Sequence, residues 1–396
     1  SGLVAALAVG LGLWLLLSSL PRDNPWSRLT GIVIASLLTA RYLQWRATWT
    51  LPPLAFAGES LWPWTFFLLE TALMLGGIAN WLVLMIHNER HDEASAGEAA
   101  LEIRADLPAV DVFICTYNED AKILEKTIVG AMHIDWSNKR VWVLDDGRRD
   151  WLRDLAAAKG AGYLTRDDNK NAKAGNINAA LTRTDAPFVL ILDADFVPRR
   201  NFLKRVIGFF DDPRIGVVQT PQHFYNPDPL QHNFGADRSW ADEQRFFFDT
   251  IQPAKDAWDT AFCCGTSSVV RRAALDALGG FPTDTVTEDI LLTHKLYDHG
   301  YITRYLNENL SMGLAAEGVG EFLTQRARWC LGNIQQLRTD AGPFSRNRQS
   351  LLQRLHFFTG LTHWLLFTGT PASPRSRPVW AHWFTTSAPR SWRTGF

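Results

Sequence analysis

The sequence predicts an α/β domain with a mostly parallel sheet, attached to N-terminal transmembrane helices. Three observations carry that expectation: long apolar stretches within the first ninety residues, short apolar runs alternating with helical patterns after residue 108, and acidic clusters at the ends of three of those runs. The charge balance, 40 Lys+Arg against 41 Asp+Glu, supplies no field suited to a polyanion and argues against nucleic acid as a partner. The four cysteines, Cys115, Cys263, Cys264 and Cys330, show no CxxC and no zinc spacing, which fits reduced buried thiols in a cytosolic domain.

Residues 2–20 (GLVAALAVGLGLWLLLSSL) are uncharged and long enough to span a bilayer, and residues 61–86 form a second such stretch in which only Glu70 is charged. A signal peptide is disfavoured for the first. The run is too long for a typical h-region, no basic n-region precedes it, and further apolar segments follow. Between the two, residues 29–40 are shorter and lead into ARYLQWR, where Arg41 and Arg46 suit snorkelling and Tyr42 and Trp45 suit an interface. About three spans are therefore expected in residues 1–87, then a polar linker at 88–107.

From residue 108 the texture changes. VDVFICT (110–116), VWVL (141–144), FVLIL (188–192) and IGVVQT (215–220) read as short buried strands, separated by helical patterns such as Ile123/Leu124/Thr127/Ile128/Ala131. Ligands of parallel sheets bind beyond the carboxyl ends of the strands. Those ends carry Tyr117-Asn118-Glu119, Asp145-Asp146-Gly147 and Asp193-Ala194-Asp195.

Asp193 and Asp195, at i and i+2 of an extended segment, face the same side. Two bare carboxylates so placed repel, and one is driven to hold its proton unless a cation joins them. Oxygen donors without His or Cys beside them select a hard ion, Mg²⁺ or Mn²⁺, which completes its shell with phosphate oxygens and water. The bland alternative is that acidic residues commonly end strands at turns. Further on, Thr285 and Glu288 fit a capping box ahead of the helical pattern ILLTHKLYDHG, which leaves Asp289 as an additional acid able to act as a general base. Gln325-Arg326-Ala327-Arg328-Trp329 combines cationic donors for phosphate with an indole for sugar stacking, or is an amphipathic surface helix with Trp as core.

In sequence and in order, YNE, DDG, AKAGN (172–176), DAD, QTPQHFYNPDP (219–229), FCCGT (262–266), TED (287–289) and QRARW (325–329) resemble the processive family-two glycosyltransferases, and most closely their bacterial cellulose synthase branch. The match covers roughly residues 35–365, and ARYLQWRATWTLP also looks like the membrane segment ahead of that catalytic domain. The resemblance implies a GT-A fold over residues 108–345, in the cytosol beneath the bacterial inner membrane. It would bind UDP-glucose and extend a β-1,4-glucan chain that leaves through the lipid bilayer. Chitin-like and hyaluronan-like synthases, or a non-catalytic remnant, are the alternatives. Carried over residue by residue, Tyr117, Glu119, Asp146, Ala172 and Lys173 would hold the uridine side of the donor, and Asp193 and Asp195 the diphosphate and its Mg²⁺ or Mn²⁺. Asp289 would be the base, Arg326 and Arg328 would lie near the phosphates, and Cys264, Gly265, Glu288, Gln325 and Trp329 would hold the acceptor end. An inverting transfer of this kind needs one base and a stabilised leaving group, and no protein nucleophile.

Two departures from the pattern flank the donor pocket. Arg148-Arg149 stand where relatives usually have Gly and a small hydroxyl residue, and Phe196 stands where cellulose synthases commonly have His. Residues 346–369 read as an amphipathic interfacial helix and the start of a span, and 370–396 as an atypical tail rich in Pro, Arg, Ser and Trp, frameshifted or disordered. Relatives continue with further spans, a gating loop and a PilZ domain that binds cyclic di-GMP, none of which is recognisable here. The resemblance also implies a periplasmic partner subunit in the intact protein. Three spans before a cytosolic domain, and a first residue that is Ser1, lead to the expectation of a fragment of a longer protein.

Overall fold

A computed structural model of the chain describes residues 2–21, 24–54, 58–237 and 239–367; the atypical tail at 370–396 lies outside them. The chain divides into two units, Ser1–His87 and Asn88–Phe396.

The described part of the first unit consists of helices α1 (Gly2–Ser19), α2 (Pro25–Trp49) and α3 (Gly58–Val83). They stand where three spans were expected. Among the described helices only α3 is long and apolar enough to cross a membrane, and Leu7–Ser19 within α1 is a shorter apolar stretch. The middle element differs from the expectation. Asn24 caps it, its Oδ1 accepting from the Trp26 amide at 2.9 Å, Pro25 opens it, and it runs 25 residues straight through ARYLQWR. The reason for that motif's polarity lies in α3. Tyr42 donates to Glu70 Oε1 (2.6 Å) and Arg46 Nε to Glu70 Oε2 (3.1 Å), so the charge in the middle of the apolar helix is paired.

The second unit begins with a helix rather than a linker: residues 88–107 contain α4 (His91–Glu102). Ala94 and Leu101 are buried, Asp92 and Glu93 suit the first turn, and Gly97 lets the helix lie against Gly208. There follow β1 (Val110–Thr116), α5 (Ala121–Met132), β2 (Lys139–Asp145), α6 (Asp150–Ala158), β3 (Gly162–Leu164), α7 (Ala172–Leu181), β4 (Phe188–Asp193) and β5 (Val197–Pro198). Then come α8 (Phe202–Val206), β6 (Ile215–Gln219), β7 (His223–Phe224), α9 (Pro229–Phe234), α10 (Gln252–Asp256), β8 (Ser268–Arg271), α11 (Arg272–Leu278) and α12 (Glu288–Asp298). The chain continues through β9 (Ile302–Tyr305), β10 (Ser311–Gly313), α13 (Val319–Gln335) and α14 (Leu351–Phe367).

Seven strands form one sheet in the order β3-β2-β1-β4-β8-β6-β9, parallel except for β8, which runs antiparallel between β4 and β6. Both faces are covered, which is why the strands read as unbroken apolar runs. Along β1, Val112 and Ile114 pack with Leu124 and Ile128 of α5, while Phe113 and Cys115 pack with Ile177 of α7 and Leu292 of α12. The strand order reverses between β1 and β4: β2 and β3 lie on one side of β1, and β4 on the other. A crevice opens at such a reversal, beyond the carboxyl ends of the strands. A small second sheet, β5-β10-β7, lies just past the end of β4.

Candidate active site

The acidic clusters meet at that crevice, because the parallel register sets Cys115 beside Asp193 and Thr116 beside Asp145. Several of their carboxylates are committed to building the loops. Asp145 is fully buried and accepts from the amides of Gly147 and Arg149 (both 2.8 Å), from the Tyr163 hydroxyl (2.8 Å) and from the Arg149 guanidinium. Glu119 folds back on its own turn, accepting from the Thr116 hydroxyl (2.5 Å) and the Tyr117 amide (2.9 Å), while the Tyr117 side chain stays exposed. Asp146 is gripped through both oxygens by Arg166, at 2.6 and 2.7 Å. Arg166, which lies in no recognisable motif, also donates to the carbonyls of Lys170 (2.6 Å) and Ala172 (2.8 Å). It thereby shapes the entry to α7, where Asn171 and Ala172 both take positive φ. Gly175 is required beneath it, since a Cβ there would meet the Lys170 carbonyl at 2.1 Å.

Lys173, in the first turn of α7, is the centre of the site. Its ammonium donates to Asp193 Oδ1 and, at 2.7 Å, to the carbonyl of Gly265. Burial pulls its pKa down, but Asp193 and the acids around it more than offset that and hold it above the usual lysine range. Gly265 has φ +84°, and a Cβ on it would lie 2.9 Å from Asp289 Oδ2, so the Asp289 carboxyl rests against this glycine. A continuous path runs from the end of β4 through Lys173 and Gly265 to Asp289. The Asp193 amide donates to Thr266 Oγ1 (2.9 Å), and Gln219, fully buried, takes the Cys264 amide (2.7 Å) and gives to the Thr266 carbonyl (2.8 Å), which fixes the FCCGT loop to β6.

Asp195 is half-buried; burial and the neighbouring Asp193 raise its pKa to about 7. Thr127 of α5 holds the intervening turn by donating to the Ala194 carbonyl at 2.7 Å. Phe196 turns away from the crevice and is buried against Gly313 and Phe224 in the small sheet.

The expected capping box at Thr285 and Glu288 is absent. Thr287 is the residue before α12 and makes no side-chain cap, while Thr285 Oγ1 is buried without a partner among the described residues. What holds this loop is α13: Gln335 Oε1 takes the Val286 amide (3.0 Å), and Gly332 allows Thr287 to pack where a Cβ would come within 2.2 Å of its hydroxyl. Glu288 and Asp289 thus open α12 as adjacent, half-buried acids. Burial, then Asp289, raises Glu288 to about 7; burial raises Asp289; Lys173 and Arg328 pull both back.

The two arginines of QRARW, 200° apart on α13, part company. Arg328 lies on the side whose charge acts on Glu288 and Asp289. Arg326 is buried and ion-paired with Glu243, its guanidinium 4.3 Å from the centroid of the Trp329 ring and 4.7 Å from that of Phe322. Its geometry is that of a fold contact, not of a group beside Asp193. Gln325 is half-buried, and Trp329 meets Trp364 of α14 edge-on, with centroids 6.4 Å apart. The cysteines are free: burial pushes Cys115 and Cys263 up to about 12 and Cys330 up to about 11, and raises Cys264 well above the usual thiol range.

Residues 111–279 match the Glycosyl transferase family 2 model. The chain is 43% identical over 267 residues to a putative cellulose synthase 2 of Komagataeibacter xylinus, covering 67% of this chain and 18% of that protein. It is 37% identical over 335 residues to the cellulose synthase 1 catalytic subunit [UDP-forming] of the same organism, covering 83% of this chain and 44% of that one. The chain therefore spans less than half the length of these relatives. In fold it is similar to a mannosyltransferase of Pyrobaculum calidifontis solved with GDP-Man and Mn²⁺, with a TM-score of 0.52, 17% identity, and coverage of 80% of this chain and 90% of that one. A mostly parallel sheet with acidic strand ends at its reversal point, matched along its length by these relatives, makes this chain a member of glycosyl transferase family 2.

Proposed function

We propose that the second unit transfers glucose from UDP-glucose, with inversion, to the end of a β-1,4-glucan, as a membrane-attached enzyme whose catalytic domain faces the cytosol. The observation that carries this reading is the Lys173 bridge. One ammonium joins Asp193 to Gly265, and Gly265 touches Asp289, so a diphosphate-facing acid and a candidate base share one cleft. Relatives that are UDP-forming cellulose synthase catalytic subunits support this choice of donor and polymer.

In this reading the crevice past β1 and β2 takes the uridine, with Tyr117, Glu119, Asp146 and the Ala172-Lys173 turn as its walls. Asp289 accepts the proton of the acceptor hydroxyl as that oxygen bonds to the sugar's anomeric carbon, and the bond to the diphosphate breaks on the opposite face. Lys173 and Arg328 bring positive charge to the departing diphosphate. No thiol takes part as nucleophile, because burial keeps the nearby cysteines protonated. Cys264, Gly265, Glu288, Gln325 and Trp329 form the acceptor side, and Arg326 supports Trp329 from behind.

Asp193 and Asp195 fit a hard divalent cation, Mg²⁺ or Mn²⁺. A half-buried carboxyl whose pKa is lifted by its neighbour is relieved by a shared positive charge, and the nearest thiol stays protonated and does not compete. When bound, such an ion neutralises charge on the leaving diphosphate. The first unit and its apolar α3 would attach the domain to the bilayer.

Asp289→Asn tests the assignment. It preserves size and removes the proton acceptor, so UDP affinity is expected to stay and glucose transfer to fall by ~10²–10⁴. UDP release measured beside UDP calorimetry reads both, and near-normal turnover would remove Asp289 as the base.

A further inference from the structure

Lys255, in α10, is 7% exposed and has no carboxylate within ion-pair distance among the described residues; the neighbouring Asp256 is turned to Arg90. A buried ammonium without a counter-charge is costly, and nothing in the donor half accounts for it. Its contacts are specific. Its Nζ donates to the carbonyl of His356 in α14 at 3.2 Å and lies 5.7 Å from the centroid of the Phe262 ring, the first residue of FCCGT. Its own carbonyl takes the Thr260 amide (2.9 Å) and hydroxyl (3.0 Å), and that hydroxyl also pairs with His356 Nδ1. Gln252, one turn earlier, closes the same loop by exchanging bonds with Phe262 and donating to Cys264 Sγ at 3.1 Å.

The same α14 reaches the other pieces of the acceptor half. Phe357 packs against His294, five residues along α12 from Asp289, with centroids 4.9 Å apart and the rings tilted by 55°. Phe357 and Leu361 pack on Cys330 and Ile334 of α13, and Trp364 meets Trp329.

We propose that Lys255 is a positioning residue for the acceptor: it couples the docking of α14 to the loop Phe262–Thr266, and through Gly265 to Asp289. The proposal rests on the glucosyl-transfer reading above. Burial brings the Lys255 pKa down to about 8, in keeping with a cation held where only geometry, and no acid, retains it.

The test is Lys255→Leu in the full chain in detergent, with four readouts. Removing an uncompensated cation is expected to leave the melting temperature at or above that of the parent, and UDP affinity within about twofold. Amide exchange at Cys263 and Cys264 is expected to quicken by about fivefold or more, since their loop loses its tie to α14. With UDP-glucose, Mg²⁺ and a short β-1,4-gluco-oligosaccharide, the ratio of glucose transfer to UDP-glucose hydrolysis is expected to drop by about fivefold or more. Lys255→Gln, which keeps a donor for the His356 carbonyl, is expected to recover at least about half of the lost ratio. Unchanged exchange in the loop, or UDP affinity and transfer falling together with the melting temperature, would overturn the proposal. If the parent moves no sugar at all, the glucosyl-transfer reading fails, and the exchange measurement still decides whether Lys255 couples α14 to the loop.

Discussion

Gly265 has little freedom to change, for two reasons. Its φ of +84° is strained for any side chain, and the missing Cβ is the space in which Asp289 Oδ2 sits, 2.9 Å away. Gly265→Ala is expected to displace the Asp289 carboxyl and lower glucose transfer by ~10–10², with UDP affinity within about threefold, because a misplacement of an ångström is enough at a reacting centre. Parallel transfer and UDP-binding titrations check this; full transfer activity would mean that Asp289 does not work from this position. Arg148 is the opposite case. It sits at φ 55°, where glycine is at ease, and its guanidinium holds the backbone there by donating to the Arg166 carbonyl (3.0 Å) and Asn169 Oδ1 (2.7 Å). Adjacent Glu288 and Asp289 set a pH dependence. Both folded pKa values are raised, Glu288 to about 7, above unfolded values of about 4. Each acid keeps its proton in the fold to a higher pH than in the unfolded chain, so stability drops as pH rises above about 4, through about 7 for Glu288. A base must be ionised, and burial raises Asp289, so kcat/KM is expected to fall on the acid side at a pH above the usual carboxylate range, up to tenfold per unit for one proton. A flat profile between pH 5.5 and 8 would break the link between these acids and the rate.

Several elements took forms that their local sequences do not announce. The polar segment after His87 becomes α4 because Ala94 and Leu101 find the domain surface, and Arg205, in α8, reaches Glu98 and the Ser95 hydroxyl across it. The helix at residues 351–367 is not amphipathic in the expected way. It buries His356, Phe357 and Leu361 yet exposes Leu351, Leu352, Leu355 and Phe358, so it is apolar on both faces. The start of α12 is held by a neighbouring helix in place of its own cap, and Gly332 marks that close approach. The entry to α7 depends on a single arginine. Arg166 compensates the buried Asp146 carboxylate and closes the loop that presents Ala172 and Lys173. Arg166→Met is therefore expected to destabilise the second unit by about 3–5 kcal/mol, the range for leaving one member of a buried pair uncompensated. It is also expected to weaken UDP binding. Urea unfolding followed by tryptophan fluorescence gives the first number, and a loss below about 0.5 kcal/mol would mean that Asp146 finds another partner.

At the scale of the whole molecule, the sequence made legible what depends on periodicity and on strand ends. The runs at 110–116, 141–144, 188–192 and 215–220 are strands, and their acidic ends converge because parallel strands place their carboxyl ends on one edge. What was not legible lies in contacts between distant positions. Lys173 meets Gly265 across 92 positions, and Arg326 turns to Glu243 across 83, so a motif could name these residues but not say which neighbour each would choose. The antiparallel β8 was missed because SVVR is too short to carry a period. The donor half, in contrast, is assembled within Val110–Asp195 and braced by Gly265 and Thr266, so nucleotide binding should follow its chemistry alone. If Asp193 and Asp195 share a divalent ion, UDP binding will require Mg²⁺ or Mn²⁺, and Asp195→Asn will weaken it without unfolding the domain. Because Asp195 holds its proton up to about 7, the ion must displace that proton, and UDP affinity in Mg²⁺ should fall by up to about tenfold per unit as pH drops below 7. In EDTA it should stay weak and flat across the same range. Calorimetry at pH 6 and 8, with and without metal, separates the outcomes, and equal affinity in EDTA and in Mg²⁺ would take the metal away from these aspartates.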